Sequence, residues 1–304
     1  MAGVGIAAGL GAGALWGLVF VVPRVAPGVG AVDWTAGRFV SFGLVAALAL
    51  LWRGRRQPRP TGVQALAALG LSLLGATGYY TLLAQSVVWA GTEVPTLIIG
   101  TIPVWVMQLG KPRGLRWAAL WPGLALTACG LALMMQAALA GAGPALGLAL
   151  QQRSQFWPGV ALALAAMLSW TAYALLNAAW LKRHPHIDAT TWTNWQGVAT
   201  GLGAGLLWLL LGSSPAELAA LDGKPWIALA CVATGFGSAW LAGILWNVAS
   251  QRLSVSLCGQ LIVSETLFAL LYSFAWDGAW PSAAQATAAV LFVLGILASI
   301  RAHP

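Results

Sequence analysis

The chain has 304 residues, 60% of them hydrophobic and only 7% charged, with mean hydropathy +0.81. Soluble domains carry about 25% charged residues, so this chain cannot cover a water-facing surface and belongs in a bilayer. Its net charge of +8 would suggest nucleic acid in a soluble protein, but the basic residues sit in short loops between apolar runs. No nucleic-acid partner is expected.

Crossing the hydrocarbon takes about 20 apolar residues per helix. In chain order the spans are predicted at 4–22, 33–52, 63–89, 93–109, 115–136, 157–182, 188–212, 225–249, 254–274 and 281–300. The first run follows no charged n-region and is too long for a signal-peptide core, so it reads as a retained span. Its end is marked by Pro23 and Pro27. The run RGRRQPRP at 53–60 closes the second span, GKPRG at 110–114 the fourth and RHPHID at 183–188 the sixth. Between the third and fourth only AGTEVP at 90–95 breaks the pattern, where Glu93 is hard to place in hydrocarbon. The fold class is thus an all-α polytopic membrane protein of ten transmembrane helices.

Lys and Arg in short loops stay on the cytoplasmic side. With the N-terminus inside, the inner loops and tail hold Arg53, Arg55, Arg56, Arg59, Lys111, Arg113, Arg116, Lys182, Arg183, Arg252 and Arg301. The outer loops hold only Arg24, Arg153 and Lys224, while Arg38 falls inside a span. Both chain ends are therefore expected in the cytoplasm. Most of the 18 Trp residues sit near span ends, as an interfacial belt requires, but Trp16, Trp105, Trp170 and Trp240 lie deeper.

The chain repeats itself. Trp16 in LWGLVF matches Trp170 in SWTAYA at an offset of 154, and VDWT at 32–35 matches IDAT at 187–190 at 155. ATGYY at 76–80 matches ATGFG at 233–237 at 157, which also equates Trp89 with Trp246, and CGLAL at 129–133 matches LGILA at 294–298 at 165. The offset only grows along the chain, as loop insertions after a duplication would produce. Five helices per copy is an odd number, so the second copy must cross in the opposite sense. The expected organisation is a first repeat at 1–136, a periplasmic connecting loop at 137–156, and a second repeat with a short cytoplasmic tail at 157–304. Inverted repeats of this kind place a substrate site near the midplane where the halves meet.

Several polar and aromatic groups could line such a site. Trp170, Tyr173 and Asn177 are spaced i, i+3, i+7 on the sixth span, Thr101, Trp105 and Gln108 lie on the fourth, and Ser256, Gln260 and Ser264 recur every four residues on the ninth. Each stripe puts hydrogen-bonding groups on one helix face, where they serve either a cavity or helix–helix adhesion. Trp16, Tyr79, Tyr80, Trp105 and Trp170 lie at middle depths of four helices, and aromatic walls with few polar handles suit an amphipathic small molecule. Core packing is the other use for such residues.

In GQLIVSETLFALLY, Glu265 sits about 16 Å into the ninth helix at 1.5 Å per residue. Three roles are open to it: binding a substrate cation, relaying a proton, or acting as a hydrogen-bonded joint. Arg38, four residues beyond Trp34, is expected to snorkel to the outer interface rather than bind a substrate carboxylate. Cys129, Cys231 and Cys258 read as small packing residues. The HPHID segment lacks a third ligand, and no nucleotide loop or zinc motif occurs, so neither cofactor nor metal is expected. An intramembrane enzyme would need a nucleophile–base pair or two deep acids. No span holds a histidine, and Glu265 is the one deep acid.

The five-plus-five repeat, DWTAGRFVSF with Arg38, TLIIGTIPVWVMQL with Pro103, and IVSETLFALLYSFAWDG together resemble the drug/metabolite transporter superfamily, in its ten-helix EamA-type branch. In the last motif Thr266 stands where the family pattern has proline, and GKPRG stands where the first half would carry an acid. The resemblance implies a bacterial inner-membrane carrier that exports amino acids or related metabolites, some members carrying lipophilic cations. The many Trp residues and the Tyr79–Tyr80 pair are most similar to the aromatic amino-acid exporters. On that reading Trp16, Tyr79, Tyr80, Trp105, Trp170, Tyr173, Asn177, Gln260 and Glu265 form the candidate substrate site.

Overall fold

The computed structural model describes residues 2–21, 28–54, 59–91, 93–142, 154–278 and 280–303. Among these every regular element is helical: α1 (Ala2–Gly17, extended by a 3₁₀ turn at Leu18–Phe20), α2 (Ala31–Arg53), α3 (Gly62–Ala90), α4 in two pieces (Glu93–Gly100 and Ile102–Leu109), α5 (Trp117–Ala142), α6 (Phe156–Arg183), α7 (Ala189–Leu211), α8 (Lys224–Arg252), α9 (Val255–Asp277) and α10 (Ala283–Ala302). A short helix, Pro215–Ala220, lies between α7 and α8. Pro23, Arg24, Pro27, Arg55, Arg56 and Arg153 lie outside the described residues, as does the middle of the expected loop at 137–156.

Local chemistry sets the helix starts. Thr61 and Gln64 form a reciprocal capping box at α3, and Ser282 and Gln285 do the same at α10. Asp188 and Ser254 cap the first amides of α7 and α9. The tight exit from α3 runs through Gly91 at φ +80°, a left-handed conformation that a side chain would resist.

Among the described residues, eight of the ten expected spans are long and apolar enough to cross a membrane on their own. The other two fall short for identifiable reasons. Val94–Leu109 spans about 24 Å at 1.5 Å per residue, against roughly 30 Å of hydrocarbon. Pro103 removes an amide donor there, and the helix breaks at Thr101. The α7 helix carries Thr191, Thr193, Asn194, Gln196 and Thr200, all buried, so its polarity faces protein rather than lipid.

The packing is organised between the copies more than within them. α2 lies along α7 and α5 along α10, each helix beside its own counterpart in the other repeat. α1 packs on α8 and α9, and correspondingly α6 packs on α3 and α4. Exchanging helix n with helix n+5 turns this set of neighbours into itself, as two inverted five-helix repeats require.

Close backbone approach makes these crossings possible. A Cβ on Gly43 would stand 2.6 Å from the Cα of Gly201, so α2 and α7 cross backbone to backbone. On α1, a Cβ on Gly13 would run into the Ser264 hydroxyl, and one on Gly17 would come within 2.9 Å of the Ala269 nitrogen.

Two helices also widen, one in each repeat. A π turn at Leu73–Thr77 interrupts α3, and another at Gly235–Leu241 interrupts α8. At the first, Ser169 of α6 donates to the Leu74 carbonyl at 2.8 Å; at the second, Ser238 donates to the Leu15 carbonyl of α1 at 2.6 Å. Each bond joins the two repeats beside a tryptophan of the equated Trp16–Trp170 pair.

Candidate functional site

A cavity of about 640 Å³ lies between the two repeats, with walls contributed by α1 through α9. It reaches from Thr193 and Trp246 to Phe20 and Ser273, the end of the bundle where α1 and α9 finish. The opposite end is packed shut. There a Cβ on Gly5 would meet Leu253, one on Gly9 would meet Leu261, and the Ser256 amide donates to the Gly110 carbonyl at 3.1 Å. The two π turns and the break in α4 all border this space, through Gly75, Ser238 and Pro103. π turns concentrate at functional sites because they re-aim side chains that a regular helix would place elsewhere.

Of the sequence-derived candidates, the structure brings Trp16, Tyr79, Tyr80, Trp170, Tyr173 and Glu265 together around this one cavity. Trp16 and Trp170, matched by the repeat, meet edge-on at 6.4 Å between ring centroids, close to the line that relates the halves. Trp246 packs against both, at 5.4 and 5.9 Å, completing a three-tryptophan cluster. Tyr79 and Tyr80 meet edge-on at 4.8 Å. Edge-on and tilted contacts leave ring faces free to receive an apolar or cationic group.

Three candidates lie elsewhere. Trp105 is 43% exposed on the outside of α4, its indole donating to Thr101 Oγ1 at 3.2 Å. Gln260 is fully buried among α5, α9 and α10, where its Nε2 donates to Thr127 Oγ1 at 2.9 Å and its Oε1 accepts from Ser299 at 3.1 Å. That is helix adhesion, one of the two uses expected of its stripe. Asn177 is also fully buried. Its Nδ2 donates to Asn247 Oδ1 at 2.8 Å, and its Oδ1 accepts from Trp192 Nε1 at 2.8 Å and from Gln196 Nε2 at 3.3 Å. Asn247 in turn donates to Thr193 Oγ1 at 2.9 Å. Asn177 thus stands one bond behind the cavity floor, because Gln196 and Thr193 both line it.

The expectation for Arg38 is overturned. It does not reach the outer interface: it is 7% exposed and lines the cavity, with its guanidinium 4.5 Å from the Phe39 ring centre and 4.8 Å from that of Tyr80. The π turn in α3 lies just ahead of Tyr80, whose ring covers the cation from the neighbouring helix. Trp246 and Gln196 were also not singled out from sequence. Trp246 carried a signal as the repeat partner of Trp89, and Gln196 as a strong hydrogen-bonding group mid-span.

The chain matches the EamA-like transporter family over residues 3–136 and again over 157–301. It belongs to that family. It is 32% identical over 320 residues to the inner membrane protein YtfF of Escherichia coli (strain K12), with 99% of this chain and 96% of that protein covered. A crystal structure of a protein 22% identical to it superposes over 98% of each chain with a TM-score of 0.72, which supports the fold. As an EamA-like transporter, the chain is a membrane transporter, and its two family segments correspond to the two halves between which the cavity lies.

Proposed function

We propose that the chain is an alternating-access carrier that exports small amphipathic metabolites, with aromatic or other apolar amino acids as its cargo. The observation that carries this reading is the central cavity. Its volume falls within the roughly 300–1,000 Å³ typical of small-molecule sites, its walls are mostly apolar and aromatic, and its polar groups are few. It reaches one end of the bundle while the other is sealed, which is what one of two access states requires. The near-twofold exchange of neighbours supplies the second state by swapping the conformations of the repeats.

The eleven-to-three distribution of basic residues supports an arrangement with both chain ends in the cytoplasm of a bacterial inner membrane and the cavity facing outward. The repeats take residues 1–136 and 157–304, joined across the periplasmic side by 137–156. Trp16, Tyr79, Tyr80, Trp170, Tyr173 and Glu265 contact the cargo, joined by Trp246.

A second reading has one observation in its favour. Glu265 faces a cavity rich in aromatic faces, an arrangement that also suits a lipophilic or quaternary cation. Proteoliposomes separate the two. Uptake of labelled phenylalanine or leucine that resists competition by a quaternary amine supports the amino-acid carrier. Uptake of the amine alone supports the cation exporter, and movement of neither class removes both.

A further inference from the structure

Arg38 and Glu265 are opposite charges in one largely apolar cavity, and among the described residues no hydrogen bond or ion pair engages either side chain. Burying a guanidinium without a carboxylate partner is costly. Asp33, the acid nearest to Arg38 in sequence, is occupied: its two oxygens accept from the amide and hydroxyl of Ser213 at 2.9 and 2.8 Å. Arg38 Nε is buried with no acceptor at all. The rings of Phe39 and Tyr80 flank the cation and hold it in place, but a ring face cannot accept the fork of N–H donors that a guanidinium presents.

The two charges come from different walls. α2 packs on α7 and α8, whereas α9 packs on α1, α4 and α10. The tryptophan cluster that completes the site comes from α1, α6 and α8. The other polar groups at the cavity, including Thr193, Gln196, Thr200 and Ser273, are neutral. A plain cation would face Arg38, and a plain anion would face Glu265. A molecule bearing one charge of each sign satisfies both.

We propose that Arg38 and Glu265 are the two poles of a zwitterion site. The cargo's carboxylate pairs with the Arg38 guanidinium, its ammonium with the Glu265 carboxylate, and its apolar side chain lies against Trp16, Trp170 and Trp246. This rests on the carrier reading above and narrows its substrate class to free α-amino acids with both ends unmodified.

The test is uptake of labelled L-phenylalanine by the reconstituted full-length protein, competed by phenylalanine, by phenylalaninamide (no carboxylate) and by 3-phenylpropionate (no ammonium), with leucine and its analogues as a second series. In the wild type each missing charge weakens competition about tenfold or more, the size of a charge-assisted hydrogen bond. Arg38→Gln brings the amide to near parity with phenylalanine and leaves the acid poor; Glu265→Gln does the reverse. If Arg38→Gln does not fold, Arg38→Lys retains the charge and the discrimination against the amide, and the wild-type comparison stands alone. Equal competition by all three compounds in the wild type overturns the proposal, as do unchanged ratios in folded Arg38→Gln. Uptake of tetraphenylphosphonium without uptake of either amino acid sinks the zwitterion site while leaving a carrier. Failure of every compound to move sinks the carrier reading itself.

Discussion

Arg38 on α2 and Thr193 on α7 stand at equivalent places in the two repeats, 155 residues apart, and both line the cavity. The first is a buried cation cradled by rings; the second is a neutral hydroxyl tied to Asn247. The surroundings differ in the same way. Trp192, Gln196 and Asn247 belong to a buried hydrogen-bonded joint across α6, α7 and α8, whereas the positions equated with them in the first repeat are Gly37, Ser41 and Ala90. The duplication thus supplies a near-symmetric backbone, and divergence supplies function. One copy holds its helices with polar bonds close to the sealed end. The other lacks those side chains at the equated positions and carries the cavity's cation, while the cavity's acid, Glu265, belongs to the second copy. A carrier whose halves were chemically identical would present two like charges to its cargo and would favour neither access state.

That contrast can be broken at its strongest point first. Gly43→Leu forces a side chain into the backbone of Gly201 at the crossing of α2 and α7, where neither main chain can retreat. Overpacking of about 1–3 kcal/mol is typical even where side chains can adjust, so monodisperse protein in gel filtration should be largely lost. A normal elution profile would show that the copies do not meet there.

The polar joint comes next. Asn247→Ala leaves Asn177 Nδ2 without its acceptor and Thr193 without a donor, at a cost of about 1–3 kcal/mol. The thermal midpoint in detergent should fall, whereas Ser41→Ala, at the first-repeat counterpart of Gln196, should stay within about 0.5 kcal/mol. Equal shifts would remove the distinction between the copies.

Glu265→Gln tests the acid on the cavity wall. Transport should drop, or its dependence on pH should flatten, while thermal stability is held. Unchanged transport across the pH range would make Glu265 a packing residue.

The smallest effects separate the tryptophans. Trp16→Ala and Trp170→Ala each remove one ring of the cluster, worth about 0.5–1.5 kcal/mol per aromatic contact, and should shift preference among apolar amino acids by similar amounts. Trp105→Ala, on the outer face of α4, should leave that preference as it was. A shift at Trp105 equal to that at Trp170 would refute the assignment of the cavity.

Lipid as the solvent, an all-helical fold, a duplicated chain and the position of each unusual residue along its span were all legible in the amino-acid sequence. Charge-poor composition, span length and the ordered offsets are one-dimensional quantities, so they survive without coordinates. Mid-span position picked out Trp16, Tyr79, Tyr80, Trp170, Tyr173 and Glu265, which line the cavity, but equally Asn177 and Gln260, which do not. The direction in which each side chain faces was left to the tertiary structure, because a helix rotates about 100° per residue and small breaks reset its phase. The interruption at Thr101 accompanies the outward turn of Trp105, which lies mid-chain in its span as Trp16 does but outside the cavity. The same limit explains Arg38. Lying near the start of a span it read as an interfacial cation, and only the packing of α3 against α2, with Tyr80 over the guanidinium, turned it inward to the cavity.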